Sequence, residues 1–208
     1  MVLLFMITSF QSGTPFTLFY KYFPLEFDSE LLKTRSTSSK DASPMIVADE
    51  IRSARKSQKK RIEDRLHSVY QFNMATNPRS PEADLQILSS DSVVPEFETG
   101  HFKLYKGDPF SEDMRVIWTA VNGLILAFIC HSHENRKQAE ITLCLLVRQL
   151  HILCKSILQP NEIISKPDRV QIVLSKFLPD GNLLLMNHRT IKQMEREVES
   201  LLKNVSSF

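Results

Sequence analysis

The amino-acid sequence predicts an α/β (α+β) fold in which helices sandwich a five-stranded antiparallel sheet. Two observations lead to this prediction. The chain starts on a short apolar run, and three strand-like segments follow one another closely in its middle, two of them joined by an Asn-Gly turn. Most of the remainder has helical periodicity, which gives the order β-β-α-β-β-β-α-α-α. With 208 residues, 42% hydrophobic and 24% charged, the chain is expected to form one packed domain.

Five segments have the pattern of strands: residues 2–7, 16–23, 101–106, 115–121 and 124–131. The segment 124–131 is almost wholly apolar, so it is expected in the middle of the sheet, covered on both faces. Asn122-Gly123 precedes it, and this dipeptide is typical of the two-residue turn of a hairpin. The segment 101–106 alternates between apolar and polar residues, as a half-buried strand does.

The helical pattern covers residues 45–73, 133–158, 168–178 and a last segment around 191–202. Residues 30–44 and 77–97 are polar and contain prolines, and we predict that both are flexible loops. The opening MVLLFMITSF is apolar for only about ten residues, whereas a membrane-spanning helix needs about 20. Together with three cysteines and a net charge of +2, this favours a soluble cytosolic protein.

The first candidate site is CHSHEN, residues 130–135. His131 and His133 form an H-x-H pair whose side chains would lie on one side of a strand, as in many metal sites. Cys144 and His151 lie several turns along the following helix, so neither can reach the pair as a third ligand. The spacing therefore predicts no metal site, and stoichiometric zinc in the purified protein would contradict that prediction.

The end of the same hexapeptide matches the beginning of a helix. An acidic side chain such as Glu134 suits a first turn, and Asn135 can cap the helix, with Gln138 three residues later. We therefore interpret CHSHEN as the junction between a strand and a helix. A metal-dependent enzyme remains the alternative.

A second candidate is the pair His151 and Cys154, which are three residues apart on a helix. A catalytic cysteine usually lies at an exposed, electropositive position, whereas Cys154 stands among Ile152, Leu153 and Ile157. We predict that it packs in the core. The sequence also lacks G-x-S-x-G and phosphate-loop motifs, and it has only five glycines. No catalytic or cofactor-binding residue is predicted, and no cofactor.

The basic run RSARKSQKKR, residues 52–61, is the third candidate. Its exposed members are expected to be Arg52, Lys56, Lys59 and Lys60. No aromatic residue interleaves with them to stack on bases, so nucleic acid is not expected as a partner. We predict a solvated outer helix face. A surface for anionic lipid or nucleic acid, or a nuclear signal, is the alternative.

Several motifs resemble the longin-like small subunits of adaptor protein complexes. GHFKLYKGDPF, VIWTAVNGLILAF, HSHENRKQAEITLCLLVRQL and DRVQIVLSKFLPDGNLLLMN resemble the sigma subunit of the fifth adaptor protein complex. The most specific elements are His133-Glu134-Asn135, Asp168-Arg169, and Lys176-Phe177-Leu178-Pro179 followed by Gly181. The resemblance covers residues 100–203 well and implies a longin-like fold.

The resemblance also implies a function without enzymatic activity. Such a chain is a small structural subunit that packs on a large adaptin subunit of a heterotetramer. It implies the zeta and beta large subunits and the mu subunit as partners, with spatacsin and spastizin. The complex would act in vesicle-mediated transport at late endosomes and lysosomes, as a peripheral cytoplasmic assembly that meets membranes only indirectly. A nuclear pool in double-strand-break repair is a further implication.

The central helix has more apolar surface than one small sheet can cover, which indicates contact with a partner. We expect Leu145, Leu146 and Ile152 to be interface positions. A stand-alone longin-like regulator of small GTPases or SNAREs is the other class of function left open, and co-purifying proteins would separate it from an adaptor subunit.

Overall fold

The computed structural model describes residues 1–10, 13–23, 44–77, 80–90, 92, 94–107, 110, 112–155 and 157–205. The strands are β1 (Val2–Ser9), β2 (Phe16–Tyr22), β3 (Thr99–Leu104), β4 (Met114–Val121) and β5 (Leu124–His131). They form one antiparallel sheet in the order β2-β1-β5-β4-β3. The predicted five-stranded antiparallel sheet is therefore confirmed, with β5 in the middle.

The helices of the described residues are α1 (Pro44–Thr76), α2 (Pro81–Leu88), α3 (Arg136–Cys154), α4 (Asn161–Ser165), α5 (Pro167–Phe177) and α6 (His188–Val205). A 3-10 turn spans Pro179–Gly181. Within the described ranges the order is thus β-β-α-α-β-β-β-α-α-α-α, with two helices that the predicted order lacks. The central helix is also shorter than the predicted 133–158 at both ends. It begins after the cap residue Asn135, and Lys155 ends it by adopting a left-handed conformation with φ 54°.

The prediction of a loop over residues 77–97 is wrong in its first half, where α2 forms. The side chain of Ser80 accepts a hydrogen bond from the backbone N–H of Ala83, and Pro81 occupies the first turn, where its missing N–H costs nothing. Leu88 is buried, and Ile87 packs against the same core cluster. Residues 30–43 of the other predicted loop lie outside the described residues.

Each face of the sheet carries its own core. On one face, Phe5, Ile117 and Phe128 pack with α3, α5 and α6. On the other, Leu4, Val116 and Ile129 pack with Ile62 and Leu66 of α1. Residues of the two cores alternate along β4 and β5, because successive side chains of a strand point to opposite faces of the sheet.

The central helix α3 lies between the sheet and two further helices. It contacts β4 and β5 on one side, and α5 and α6 on the other. Gln149 donates a hydrogen bond of 2.7 Å to Glu195 of α6. This position explains why apolar residues nearly encircle α3, since a helix covered on two sides needs two apolar stripes. Among the described residues, no helix is both long enough and apolar enough to cross a membrane.

Candidate functional site

The two histidines of CHSHEN lie at the end of β5, with their side chains on one side of the chain. Their rings stack with centroids 5.3 Å apart and planes inclined by 18°. Nδ1 of His131 is 3.6 Å from a carboxylate oxygen of Glu112. Cys130 is fully buried in the core. Across the described ranges, no group of three or more His, Cys, Asp or Glu side chains is placed to hold a metal ion.

The predicted helix start at Asn135 is confirmed. Its side-chain oxygen accepts a hydrogen bond of 3.1 Å from the backbone N–H of Gln138, which satisfies one of the free donors of the first turn. The carbonyl of Glu134 accepts a hydrogen bond of 3.2 Å from Arg115 of β4. The Glu134 carboxylate forms an ion pair with the α-amino group of Met1. The end of CHSHEN thus joins β1, β4 and α3.

The surroundings of His151 and Cys154 oppose nucleophilic chemistry. Burial raises the pKa of the Cys154 thiol to about 11, so the thiol is protonated at neutral pH, whereas the thiolate is the nucleophile. Burial lowers the pKa of His151, and its Nδ1 has no hydrogen-bond partner among the described residues. Burial likewise raises the pKa of Cys144 to about 11 and that of Cys130 to about 12.

The basic run lies on the first half of α1, which packs along β2. The ammonium of Lys59 is 5.1 Å from the centre of the Tyr20 ring, and the guanidinium of Arg55 is 4.9 Å from that of Tyr22. Arg52, Lys56 and Lys60 are exposed, and Lys59 is half-buried. Part of the run therefore holds α1 against the sheet by cation–π contacts, and part faces solvent.

The expected interface residues of α3 fall into two groups. Leu146 is fully buried and Leu145 is 2% exposed, because α5, α6 and the sheet of the same chain cover them. Leu146 is therefore not a surface contact, and Leu145 keeps only a small exposed area, because periodicity shows that a helix is covered on two sides but not by which chain. Ile152 is 44% exposed and is the member of the set that a partner can reach.

An apolar groove that was not predicted from the sequence lies on the α3 and α6 side of the molecule. It has a volume of about 370 Å³ and is lined by Val94, Gln138, Ile141, Thr142, Leu145, Leu184, Leu185, Met186, Asn187 and Ile191. Most of its wall comes from α3 and from residues 182–187, the extended segment between the 3-10 turn and α6. The signal that could have found it is the run of three leucines, 183–185, which is too short for a helix and follows a turn.

The segment at this groove is held at Leu184 and at its junction with α6. Gln138 donates a hydrogen bond of 2.8 Å to the carbonyl of Leu184. The side chain of Asn187 accepts one of 2.9 Å from the backbone N–H of Thr190. Leu183 and Met186 pack against the core, whereas Leu185 is 90% exposed. The segment thus presents a leucine to solvent from a well-anchored backbone.

Comparisons with a family profile and with individual known proteins give matches of the same description. The profile of the family described as AP-5 complex subunit sigma-1 matches residues 1–199. The human protein named AP-5 complex subunit sigma-1 is 34% identical over 152 residues, which are 72% of this chain and 76% of the human protein. The mouse protein of the same name is 42% identical over 69 residues, which are 32% of this chain and 41% of the mouse protein.

Proposed function

Because the chain belongs to the family of AP-5 complex sigma-1 subunits, we propose that it packs on a large adaptin subunit as the small structural subunit of a heterotetramer. The family is one of structural, non-enzymatic adaptor subunits. The raised pKa of the Cys154 thiol is consistent with such a role, since it agrees with the prediction that Cys154 packs in the core and is not a nucleophile.

The exposure of Leu185 beside the apolar groove is the main support for the proposed packing on a large subunit. A leucine that is 90% exposed on an anchored segment places most of its apolar surface in water. Burying it fully would stabilise a complex by about 1.5 to 3 kcal/mol. Ile141, on α3 and also exposed, lines the same groove, so one apolar side chain of a partner could contact both. The groove is therefore the surface on which we place the large subunit.

Membership of the family supports a proposal for the wider role. We propose the zeta and beta large subunits and the mu subunit as direct partners, and spatacsin and spastizin as associated proteins. The assembly acts in vesicle-mediated protein transport at late endosomes and lysosomes, as a peripheral cytoplasmic complex. The sigma subunit contributes to it by completing the folded core of the heterotetramer.

Affinity purification of the tagged full chain, followed by mass spectrometry, tests this function. We expect the large adaptin subunits and the mu subunit to be recovered together. Small GTPases, SNAREs or DNA-repair proteins recovered without any adaptin would contradict the proposal. An unrelated protein of similar size with the same tag is the control for non-specific capture.

A further inference from the structure

The basic run of α1 includes a pair of lysines on the outward side of the helix. Lys56 and Lys60 are four residues apart, so they lie about 6 Å apart along the axis and on nearly the same line. Gln58 and Ile62, two residues further on in each case, are buried, and Ile62 packs in the core on the sheet. Two residues correspond to about 200° of rotation, which places the lysines opposite the buried side.

Among the described residues, no group pairs with the charge of these two lysines. Both side chains are exposed, and neither ammonium has an ion-pair or ring partner in the part of the chain that the structure describes. Lys59, in contrast, lies over the ring of Tyr20. Asp64, also exposed, comes one turn after Lys60 and bounds the basic surface at that end. Residues 52–61 contain six basic residues and no acidic one.

We propose that Lys56, Lys59 and Lys60, together with Tyr20, form a contact surface for anionic membranes. A cation near a membrane with acidic lipids gains about 1 kcal/mol, and an amphipathic ring such as that of Tyr20, which is 52% exposed, suits the headgroup region. The outward side of a helix packed on a sheet is convex, and it can approach a flat surface without a groove.

The ring contact argues for a membrane rather than nucleic acid. Proteins that bind single strands stack bases on open aromatic faces. At this surface the cation of Lys59 lies over one face of Tyr20, at 5.1 Å from the ring centre. An anionic lipid headgroup pairs with the lysine ammonium and does not need the open face of the ring. The arrangement therefore fits an anionic lipid better than a nucleic-acid base.

The surface and the groove lie on opposite sides of the sheet. Leu145 and Ile191 of the groove belong to the core of α3, α5 and α6, whereas α1 packs on the other core. A large subunit that contacts the groove does not need to cover Lys56 and Lys60. The membrane contact is therefore independent of the groove assignment, and each can fail without the other.

Co-sedimentation of the full chain with vesicles tests the proposal. The vesicles contain phosphatidylcholine with or without phosphatidylserine, at low and high salt. Where the chain needs a large subunit to stay in solution, parent and variants are compared in the same co-expressed form. We expect binding to the phosphatidylserine vesicles that weakens with salt. The double variant Lys56→Gln, Lys60→Gln should bind roughly 25-fold more weakly, at about five-fold for each lysine.

The matched control is Lys103→Gln with Lys192→Gln, two exposed lysines on β3 and α6, which should bind as the parent does. Circular dichroism checks that all variants are folded. Equal binding of the two double variants would overturn the proposal. So would a parent protein that binds vesicles equally well with and without phosphatidylserine. It would also be overturned if Lys56→Gln, Lys60→Gln lost binding to duplex DNA or polyglutamate while keeping its vesicle binding.

Discussion

The backbone N–H of Asn122 donates a hydrogen bond of 2.9 Å to the carboxylate of Asp84, which ties the β4–β5 turn to α2. Asn122 has φ 49°, and Gly123, which follows it, has φ 74°, as a two-residue hairpin turn requires. The Asn122 side chain donates a second bond of 3.2 Å to the carbonyl of Ile157, beyond the end of α3. One turn residue thus connects the sheet with the segments on either side of it.

Asp84→Ala should therefore destabilise the protein by about 1 to 3 kcal/mol, because the N–H of Asn122 loses its charged acceptor in a partly buried site. The free energy of unfolding in urea measures this. Gln86→Ala changes an exposed residue of the same helix and should alter it by less than about 0.5 kcal/mol. Equal effects of the two changes would show that Asp84 does not anchor the turn.

Gly181 has φ 79°, and a Cβ there would lie 2.3 Å from the carbonyl oxygen of Val2 and 2.9 Å from Cβ of Phe23. Gly181→Ala should cost about 2 to 5 kcal/mol, since it adds a clash with the backbone to the strain of a positive φ. Gly107, at φ 92°, has no atom of a described residue within 4 Å of such a Cβ. Gly107→Ala should cost only the strain, about 1 kcal/mol. Thermal or urea unfolding measures the loss of stability in each of the two variants. A similar loss in both would show that the clash at Gly181 contributes nothing.

The three thiols should resist alkylation in the folded protein near neutral pH. Burial raises the pKa of Cys130 to about 12 and the pKa of Cys144 and Cys154 to about 11, so the reactive thiolate is scarce and enclosed. Iodoacetamide labelling followed by mass spectrometry should find all three labelled in urea and none in buffer. Rapid labelling of Cys154 without denaturant would revive a catalytic role.

The same shifts set the direction of a pH effect. A thiol whose pKa is higher folded than unfolded favours the folded state while it is protonated. That contribution is present below the unfolded value of about 8.5 and is lost as pH rises towards 11 to 12. Urea unfolding should therefore show stability decreasing from about pH 8.5 upwards. A stability that increases over this range would contradict the buried environment.

Asn135→Ala should cost about 1 kcal/mol by removing the cap of α3, whereas Asn135→Asp should cost much less because a carboxylate also accepts from the N–H of Gln138. Urea unfolding of both variants measures the difference. If both changes had the same effect, the side chain would not act as a cap.

The sequence predicted the sheet well because its signals are local. Asn122-Gly123 marks a turn by backbone preference alone, and the apolar run 124–131 marks a strand covered on both faces. The helix α2 was missed because it has only eight residues and its stability depends on contacts with residues far away in the sequence. One such contact is the hydrogen bond between the Asp84 carboxylate and the backbone N–H of Asn122. Leu145 and Leu146 were assigned to a partner because periodicity does not tell intramolecular from intermolecular burial.

The candidate site was less predictable than the fold. Asn135 was correctly assigned to a helix start, because capping depends on residues adjacent in sequence. His133, where the predicted helix begins, lies instead in the turn before the cap. The groove brings together α3, residues 182–187 and α6, and no short pattern encodes that arrangement. Leu185 is distinguished from Leu183 only by which side of an extended segment faces the core.

The most direct measurement is how much large adaptin subunit co-purifies with the tagged full chain carrying Leu185→Asp, with Leu201→Asp as the control. Leu201 is exposed on α6 but does not line the groove. The account predicts that Leu185→Asp lowers recovery by roughly ten-fold to a hundred-fold, since a buried leucine is lost and a charge is placed in an apolar contact. Leu201→Asp should leave recovery unchanged. Full recovery with Leu185→Asp would contradict the assignment of the groove to the large subunit.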